Sequence, residues 1–303
     1  MNATRKLRQI LNEEPILATA GAFDALSAKI IQQAGFRAIY TTGFGIAGSH
    51  LGKPDVELYS MNENLTVVGH MAMSVDIPII ADLDTGYGNA VNVIRTIQEF
   101  ERVGCAGGVL EDQLAPKRCP ACDAAFSLVP LAEGIGKIRA AVDTKNDPDF
   151  MILARTDATG RQAVERANAY FDAGADMVVL ISRSFESVQD LKNHCQHIKG
   201  PLCVNIMEGI GYASWLNDQW TMEDLIEVGV KIVNYPLVPL FAAVRAMLDV
   251  LAEVPQYPTL KDLDLPRRIS HEQFMELIGF KDITALQEKY MPSQEVVFGS
   301  VTP

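Results

Sequence analysis

Residues 78–88 read PIIADLDTGYG. A short apolar run leads to two carboxylates, Asp82 and Asp84, and a glycine-flanked turn follows at once. An apolar run of this length, with no polar alternation, predicts a strand buried on both faces, as in a parallel sheet. On such a strand Asp82 and Asp84 stand two apart and point the same way. Two acids on one side repel unless a cation or an arginine lies between them, and a hard divalent cation such as Mg2+ takes such an oxygen cluster. The alternative is a pair of turn aspartates, solvated in a loop or capping the next helix.

Working outward from this stretch, apolar runs alternate with helical patterns. The runs are 15–20, 38–42, 78–84, 107–112, 150–157, 177–182, 201–207 and 231–237, eight in all. Helical spacing fills most of the gaps, as at 25–34, 90–103, 162–173 and 222–228, and a further short helix is predicted over 4–13. Several of these helices run into glycine (Gly35, Gly104, Gly174, Gly229), a natural helix stop. Eight βα units predict an α/β fold, a (β/α)8 TIM-type barrel over residues 1–253. A doubly wound sheet is the alternative, but no Gly-x-Gly-x-x-Gly follows the first strand. Nearly every strand ends in reactive or charged residues: Tyr40 to Gly43, Asp82 and Asp84, Glu111 and Asp112, Arg155 and Asp157, Ser182 and Arg183, Asn205 and Glu208. The carboxyl ends of the strands are where such barrels place their active sites.

Two long connections, 43–64 and 113–131, break the regular spacing on that face and read as binding loops. The second contains Lys117-Arg118-Cys119, whose two cations would lower the thiol's pKa and meet an anionic substrate. A bystander thiol on a surface loop is the plainer alternative. Cys119 and Cys122 also form a C-x-x-C, open to a zinc or redox reading, although no second pair stands at zinc-site spacing. The five histidines show no ligand-like spacing. Residues 254–303 form a proline-bearing linker and a helical extension expected to pack on a neighbouring subunit.

The chain has 303 residues with 26 Lys+Arg against 38 Asp+Glu, a formal charge of −12. Without a basic cluster, nucleic-acid binding is not expected. No apolar run approaches a membrane span, and five scattered cysteines suit a cytoplasmic protein better than a disulfide framework. The N-terminus lacks the apolar core of a signal peptide.

With these residues in view, the chain resembles the short-chain branch of the isocitrate lyase / phosphoenolpyruvate mutase superfamily, which includes 2-methylisocitrate lyase, dimethylmalate lyase and the petal-death protein. The motifs that carry the resemblance are GAFDALSA (21–28), IYTTGFG (39–45), LGKPD (51–55), DLDTGYGN (82–89), LEDQLAPKRC (110–119), DPDFMILARTDA (147–158), VNIMEG (204–209) and FMELIGFKDITALQEKY (274–290). The resemblance implies a barrel whose eighth helix is swapped between subunits, in a homotetramer built as a dimer of dimers. It implies Mg2+, or Mn2+, held by Asp82 with Asp84, Glu111 and Asp55, and a small α-keto or α-hydroxy carboxylate as the partner. Thr42, Gly43 and Phe44 would offer backbone N–H groups to its carboxylate, with Arg155, Asn205 and Arg118 as further binding groups. Tyr40 would be the base and Cys119 the proton donor of a retro-aldol carbon–carbon cleavage. Oxaloacetate decarboxylation or hydrolysis, phosphonopyruvate chemistry, and a non-catalytic metabolite-binding barrel are the alternatives. The chain departs from the lyases at Pro120-Ala121, where they carry Gly-His, at Ile181, where they carry glutamate, and at Phe241, where 2-methylisocitrate lyase carries arginine. These departures favour a smaller or more apolar acid, with Phe44 and Phe241 as pocket walls.

Overall fold

The computed structural model describes residues 2–118, 127–181, 185, 187–206, 221–253 and 269–291. All eight predicted strands are present: β1 Leu17–Ala22, β2 Ile39–Thr41, β3 Ile79–Asp82, β4 Gly107–Glu111, β5 Met151–Thr156, β6 Met177–Ile181, β7 Leu202–Asn205 and β8 Val230–Tyr235. They pair in parallel and in chain order, and β8 pairs back on β1 to close the barrel. The strands are shorter than their apolar runs because ladder pairing stops where the chain turns to meet the next helix.

Side-chain alternation sorts each strand into an inner and an outer face. The barrel interior is filled by Leu17, Tyr40, Ile80, Val109, Met151, Leu153, Met177, Val179, Cys203 and Ile232. The first helix, α1 Ala3–Glu13, adds Leu7, Ile10 and Leu11 to this same cluster. The outward residues, among them Ile79, Ala81, Ile152, Val178 and Val204, join the surrounding helices in a second cluster. This sorting places the functional residues. Stepping by two along the inner face from Ile80, Val109, Leu153, Val179, Cys203 and Ile232 leads to Asp82, Glu111, Arg155, Ile181, Asn205 and Asn234, all at carboxyl ends.

Several helices start on side-chain caps. Asp24 with Ser27, Ser60 with Glu63, and Asn89 with Asn92 close reciprocal capping boxes. Four helices end, as expected, at Gly35, Gly104, Gly174 and Gly229, all with positive φ. The connection after β2 holds more structure than its sequence suggests: a short helical turn Gly43–Ile46, then a π-helical turn Ala47–Leu51. The connection after β4 is pinned at its base by an antiparallel bridge between Gln113 and Leu128. Among the described residues no helix is long and apolar enough to cross a membrane.

The chain divides into two compact units, Met1–Arg245 and Ala246–Pro303. In the second, helices His271–Leu277 and Phe280–Tyr290 pack on each other about Gly279, leaving Phe280, Ile283 and Leu286 exposed.

Barrel closure leaves no room at Gly21 in β1. A Cβ there would lie 2.0 Å from the carbonyl oxygen of Pro236, just past β8. Because the obstacle is backbone, Gly21→Ala should destabilise the barrel by about 3 kcal/mol, as overpacking of a rigid site does; urea unfolding with an unchanged m-value would measure it.

Candidate active site

Asp82 ends β3 on the inner face. Its backbone N–H donates to Thr41 Oγ1 at 2.8 Å. Asp84 reaches the same space by a different route from the one the sequence suggests. The strand has already ended at Asp82, and Leu83 turns away to pack against Gly108, whose Cβ position would lie 2.4 Å from Leu83 Cδ1. Asp84 then adopts a left-handed conformation, φ 50. The two acids converge through this turn and not through strand alternation. A Cβ built on Gly43 would stand 2.6 Å from Tyr59 Oη, 3.0 Å from Asp82 Oδ2 and 3.1 Å from Asp84 Oδ1. Glycine at 43 therefore keeps open the point on which the three groups converge.

The acids are held by a defined set of donors. Gly43 N–H donates to Asp82 Oδ2 at 3.0 Å, and Asp84 N–H to Asp82 Oδ1 at 3.2 Å. Tyr59 and Tyr87 both donate their hydroxyls to Asp84 Oδ2. Asn64 Nδ2 donates to Tyr87 Oη at 2.7 Å and to the carbonyl of Asp82 at 2.8 Å. Lys117, fully enclosed, pairs with Asp84 Oδ1 and, at 3.1 Å, with Asp55 Oδ1. Next to this group Arg155 Nη1 pairs with Glu111 Oε2 at 3.0 Å. The other side of its guanidinium grips Asp157 at 2.8 and 2.9 Å. Gln113 donates to Asp157 Oδ2 and accepts the backbone N–H of Arg118 at 2.9 Å.

Burial sets the electrostatics. It pushes the Asp55 carboxyl up to about 6, with Lys117 pulling the other way. It pushes Glu111 up to about 8 against the opposing pull of Arg155 and Lys117. Partial burial and then the neighbouring Asp84 raise Asp82. Burial alone would lower the Lys117 ammonium, but Asp55, Asp84, Glu111 and Asp82 together hold it well above the usual lysine range. Tyr40 lies in the barrel interior beneath the acids, and burial raises its phenol well above the usual value.

These oxygens fit a hard divalent cation in kind. Asp55 Oδ1, Asp84 Oδ1 and Glu111 Oε2 are buried and meet only the cations Lys117 and Arg155, and buried Glu111 Oε1 accepts no hydrogen bond. Mg2+ takes such oxygens through one or two carboxylates and keeps several waters. As the side chains stand, no three His, Cys, Asp or Glu residues among the described ones are gathered closely enough to hold a metal.

The structure thus brings together Asp55, Asp82, Asp84, Glu111 and Arg155. Asn205 is buried at the same end of β7, accepting from Asn234 Nδ2 at 3.0 Å. Two expected donors are committed elsewhere. Thr42 N–H bonds to the carbonyl of Ala22 and its hydroxyl accepts from Gly45 N–H, while Gly43 N–H serves Asp82. Phe44 meets Phe241 edge to face, ring centroids 6.3 Å apart. Lys117, expected to meet a substrate anion, gives its charge to Asp55 and Asp84 instead. The Arg118 side chain is exposed. Cys119, Cys122, Ser182, Arg183 and Glu208 lie outside the described residues. Tyr59 and Asn64 lie in no quoted motif and are missed as supporting residues. Tyr87, Gln113 and Asp157 lie within DLDTGYGN, LEDQLAPKRC and DPDFMILARTDA, and Asp157 is named as a strand-end acid, but the sequence gives none of the three its supporting role. Asp112 faces away from the site and accepts from Arg166, Thr156 and Tyr170; it ties β4 to the helix Gly160–Asp172.

Tyr59→Phe removes a donor from a buried carboxylate while keeping the ring. It should lower the unfolding free energy by about 1.5 kcal/mol, the usual worth of a hydrogen bond to a charged group, read from urea titration of the two proteins side by side.

Residues 7–255 match the phosphoenolpyruvate phosphomutase family. The chain is 37% identical to 2,3-dimethylmalate lyase of Eubacterium barkeri over 294 residues, covering 96% of this chain and 99% of that protein. It is 36% identical to 2-methylisocitrate lyase of Shewanella oneidensis, over 82% of this chain and 84% of the other. Among solved structures, phosphonopyruvate hydrolase in complex with oxalate and Mg++ superposes with a TM-score of 0.85 at 31% identity, covering 96% of this chain and 100% of that one. With a closed eight-stranded barrel and acids gathered at its carboxyl end, the chain belongs to the isocitrate lyase / phosphoenolpyruvate mutase superfamily, in its short-chain branch.

Proposed function

We propose that this protein is a Mg2+-dependent carbon–carbon lyase. It would cleave a 2-hydroxy di- or tricarboxylate, of the 2-methylisocitrate or dimethylmalate kind, into an α-keto acid and a carboxylate. The observation that carries this reading is the set of acids Asp55, Asp82, Asp84 and Glu111, facing Arg155 at the barrel mouth, in a chain 37% identical to a dimethylmalate lyase along nearly its whole length. Asp82, Asp84 and Glu111, with Asp55 nearby, would hold the cation. When bound, Mg2+ supplies Lewis-acid stabilisation of the negative charge that develops on the substrate oxygens.

The protein's own groups divide the remaining work. Arg155 and Asn205 bind the substrate carboxylate or the developing enolate, assisted by Phe44 and Arg118; Thr42 and Gly43 would join them only by releasing their N–H groups from Ala22 and Asp82. The C2 hydroxyl gives up its proton, with Tyr40 as the base. The electron pair of that O–H bond becomes the carbonyl of the keto acid, and the C2–C3 pair passes to the departing carbon. Cys119 protonates that carbon and completes the balance. Burial keeps Tyr40 a phenol, so its service as a base requires a neighbouring cation to draw its pKa down.

A second reading rests on Ile181, which ends β6 on the inner face, paired in register with Asn205. An apolar residue there, with the likeness to phosphonopyruvate hydrolase, favours oxaloacetate decarboxylation or hydrolysis, or C–P chemistry. A barrel that binds a metabolite without turnover is the third. Keto-acid release in the presence of Mg2+, with and without EDTA, decides among them. The panel is 2-methylisocitrate, isocitrate, dimethylmalate, citramalate, oxaloacetate and phosphonopyruvate. EDTA-sensitive release from a 2-hydroxy acid, abolished by Cys119→Ser, is the expected outcome. Release from oxaloacetate or phosphonopyruvate alone would replace it with the second reading, and silence across the panel would favour the third.

The assembly we propose is a homotetramer, a dimer of helix-swapped dimers. Exposed Phe280, Ile283 and Leu286 on the last helix support it, since an apolar helix face wants cover. Light scattering on the full chain should give four times the 33.1 kDa subunit mass.

A further inference from the structure

Three strand-end loops supply the residues gathered at the barrel mouth: Asp55 after β2, Asp84 after β3 and Lys117 after β4. One side chain touches the other two loops from the first. Glu57 accepts the Thr85 hydroxyl on Oε1, and the backbone N–H of Lys117 on Oε2 at 2.9 Å. Thr85 is the immediate neighbour of Asp84, and its carbonyl accepts Lys137 Nζ at 3.0 Å from the helix Leu131–Thr144. Glu57 itself sits at φ 59, the left-handed region. A side chain other than glycine, asparagine or aspartate is held there only when its contacts outweigh a cost of about 1 kcal/mol or more.

We infer that Glu57 is a positioning residue. It staples the three loops so that the Lys117 ammonium is set between Asp55 and Asp84. The Lys117 N–H and the Lys117 Nζ belong to one residue, so fixing the first at Glu57 limits where the second can reach. Asp55 is two residues from Glu57 and Asp84 is adjacent to Thr85, so the same carboxylate sets the spacing of both acids that Lys117 bridges. The role needs two hydrogen-bonded contacts, one to the Lys117 N–H and one to the Thr85 hydroxyl, not a charge. A glutamine can supply both, because its oxygen accepts the Lys117 N–H while the Thr85 hydroxyl turns to accept from its Nε2. Only the turnover arm of the following test rests on the proposed function; the other arms need no substrate.

The experiment compares the full-length wild type with Glu57→Gln and Glu57→Gly. Glycine removes both contacts yet tolerates φ 59, so its fold is kept; a single cooperative thermal transition, lowered by no more than the several degrees that two lost hydrogen bonds imply, would confirm this. Two readouts report on Lys117 directly: hydrogen exchange of its amide, and acylation of its Nζ by a small amine-reactive reagent, both followed by mass spectrometry. In Glu57→Gly both should rise about tenfold, and keto-acid release by whichever panel substrate the wild type turns over should lose about tenfold in kcat; Glu57→Gln should stay within about threefold on all counts, as loss or retention of one net hydrogen bond predicts. Unchanged exchange and acylation in Glu57→Gly would overturn the proposal. So would raised exchange and acylation with wild-type kcat, and so would a Glu57→Gln variant as impaired as the glycine one.

Discussion

Ionised acids are not buried together without positive charge among them, and here that charge is the Lys117 ammonium. Taking each ion out of water costs several kcal/mol. At an effective dielectric of 20, a pair of opposite unit charges about 3 Å apart recovers about 5 kcal/mol. One lysine shared between Asp55 and Asp84 makes two such pairs, roughly enough to offset the burial of the three ions. Arg155 does the same for Glu111 and Asp157. The carboxyl end of the barrel is therefore a balance of ions that desolvation would otherwise drive apart, and the loops are built to keep each partner in reach. Tyr59, Tyr87 and Asn64 fill the remaining acceptor sites on Asp84 and around Asp82. Gln113 joins the connection after β4 to the Arg155 pair through Asp157 and the Arg118 N–H.

The barrel supplies the frame on which this balance is set out. In a closed parallel sheet every second residue faces in, and the last inward residue of each strand faces the mouth. That rule alone delivers Asp82, Glu111, Arg155, Ile181, Asn205 and Asn234 to one end. Direct ladder neighbours are already chemical pairs: Glu111 stands opposite Arg155, and Asn205 opposite Asn234. The sheet geometry puts these partners side by side before any loop contributes, whereas Asp55, Asp84 and Lys117 depend on loop conformation.

This division decides what could be read from the residues alone. Strand count, parallel order and the inward acids were legible, because they follow from apolar runs, helix stops and a period of two. Asp84 was placed correctly for the wrong reason, since periodicity cannot show that pairing stops at Asp82 and that a left-handed turn follows. Asp112 was read with Glu111 as a strand-end acid, yet adjacent residues on a strand face opposite ways, and Asp112 goes to Arg166. The donors expected of Thr42 and Gly43 are spent on Ala22 and Asp82, an outcome that depends on which strand lies alongside. Lys117, Tyr59 and Glu57 were least legible in their actual roles. Their partners are distant in the chain, and nothing local in a lysine, a tyrosine or a glutamate says which loop will face it.

Charge bookkeeping at the mouth bears on what the site must take up. Within the cluster five carboxylates (Asp55, Asp82, Asp84, Glu111, Asp157) face two cations (Lys117, Arg155), a balance of −3 if all ionise. An anionic acid entering that field meets net repulsion, and more so in an enclosed, low-dielectric mouth. The site can relieve the excess by binding protons or by binding a divalent cation. The rise of Glu111 to about 8 and of Asp55 to about 6 runs toward the first, driven first by burial and then added to by the neighbouring carboxylates. A divalent ion on the same oxygens would replace such protons and bring the balance near −1. The apolar Ile181 on the inner face of β6 fits this economy, since a further glutamate there would add a sixth negative charge.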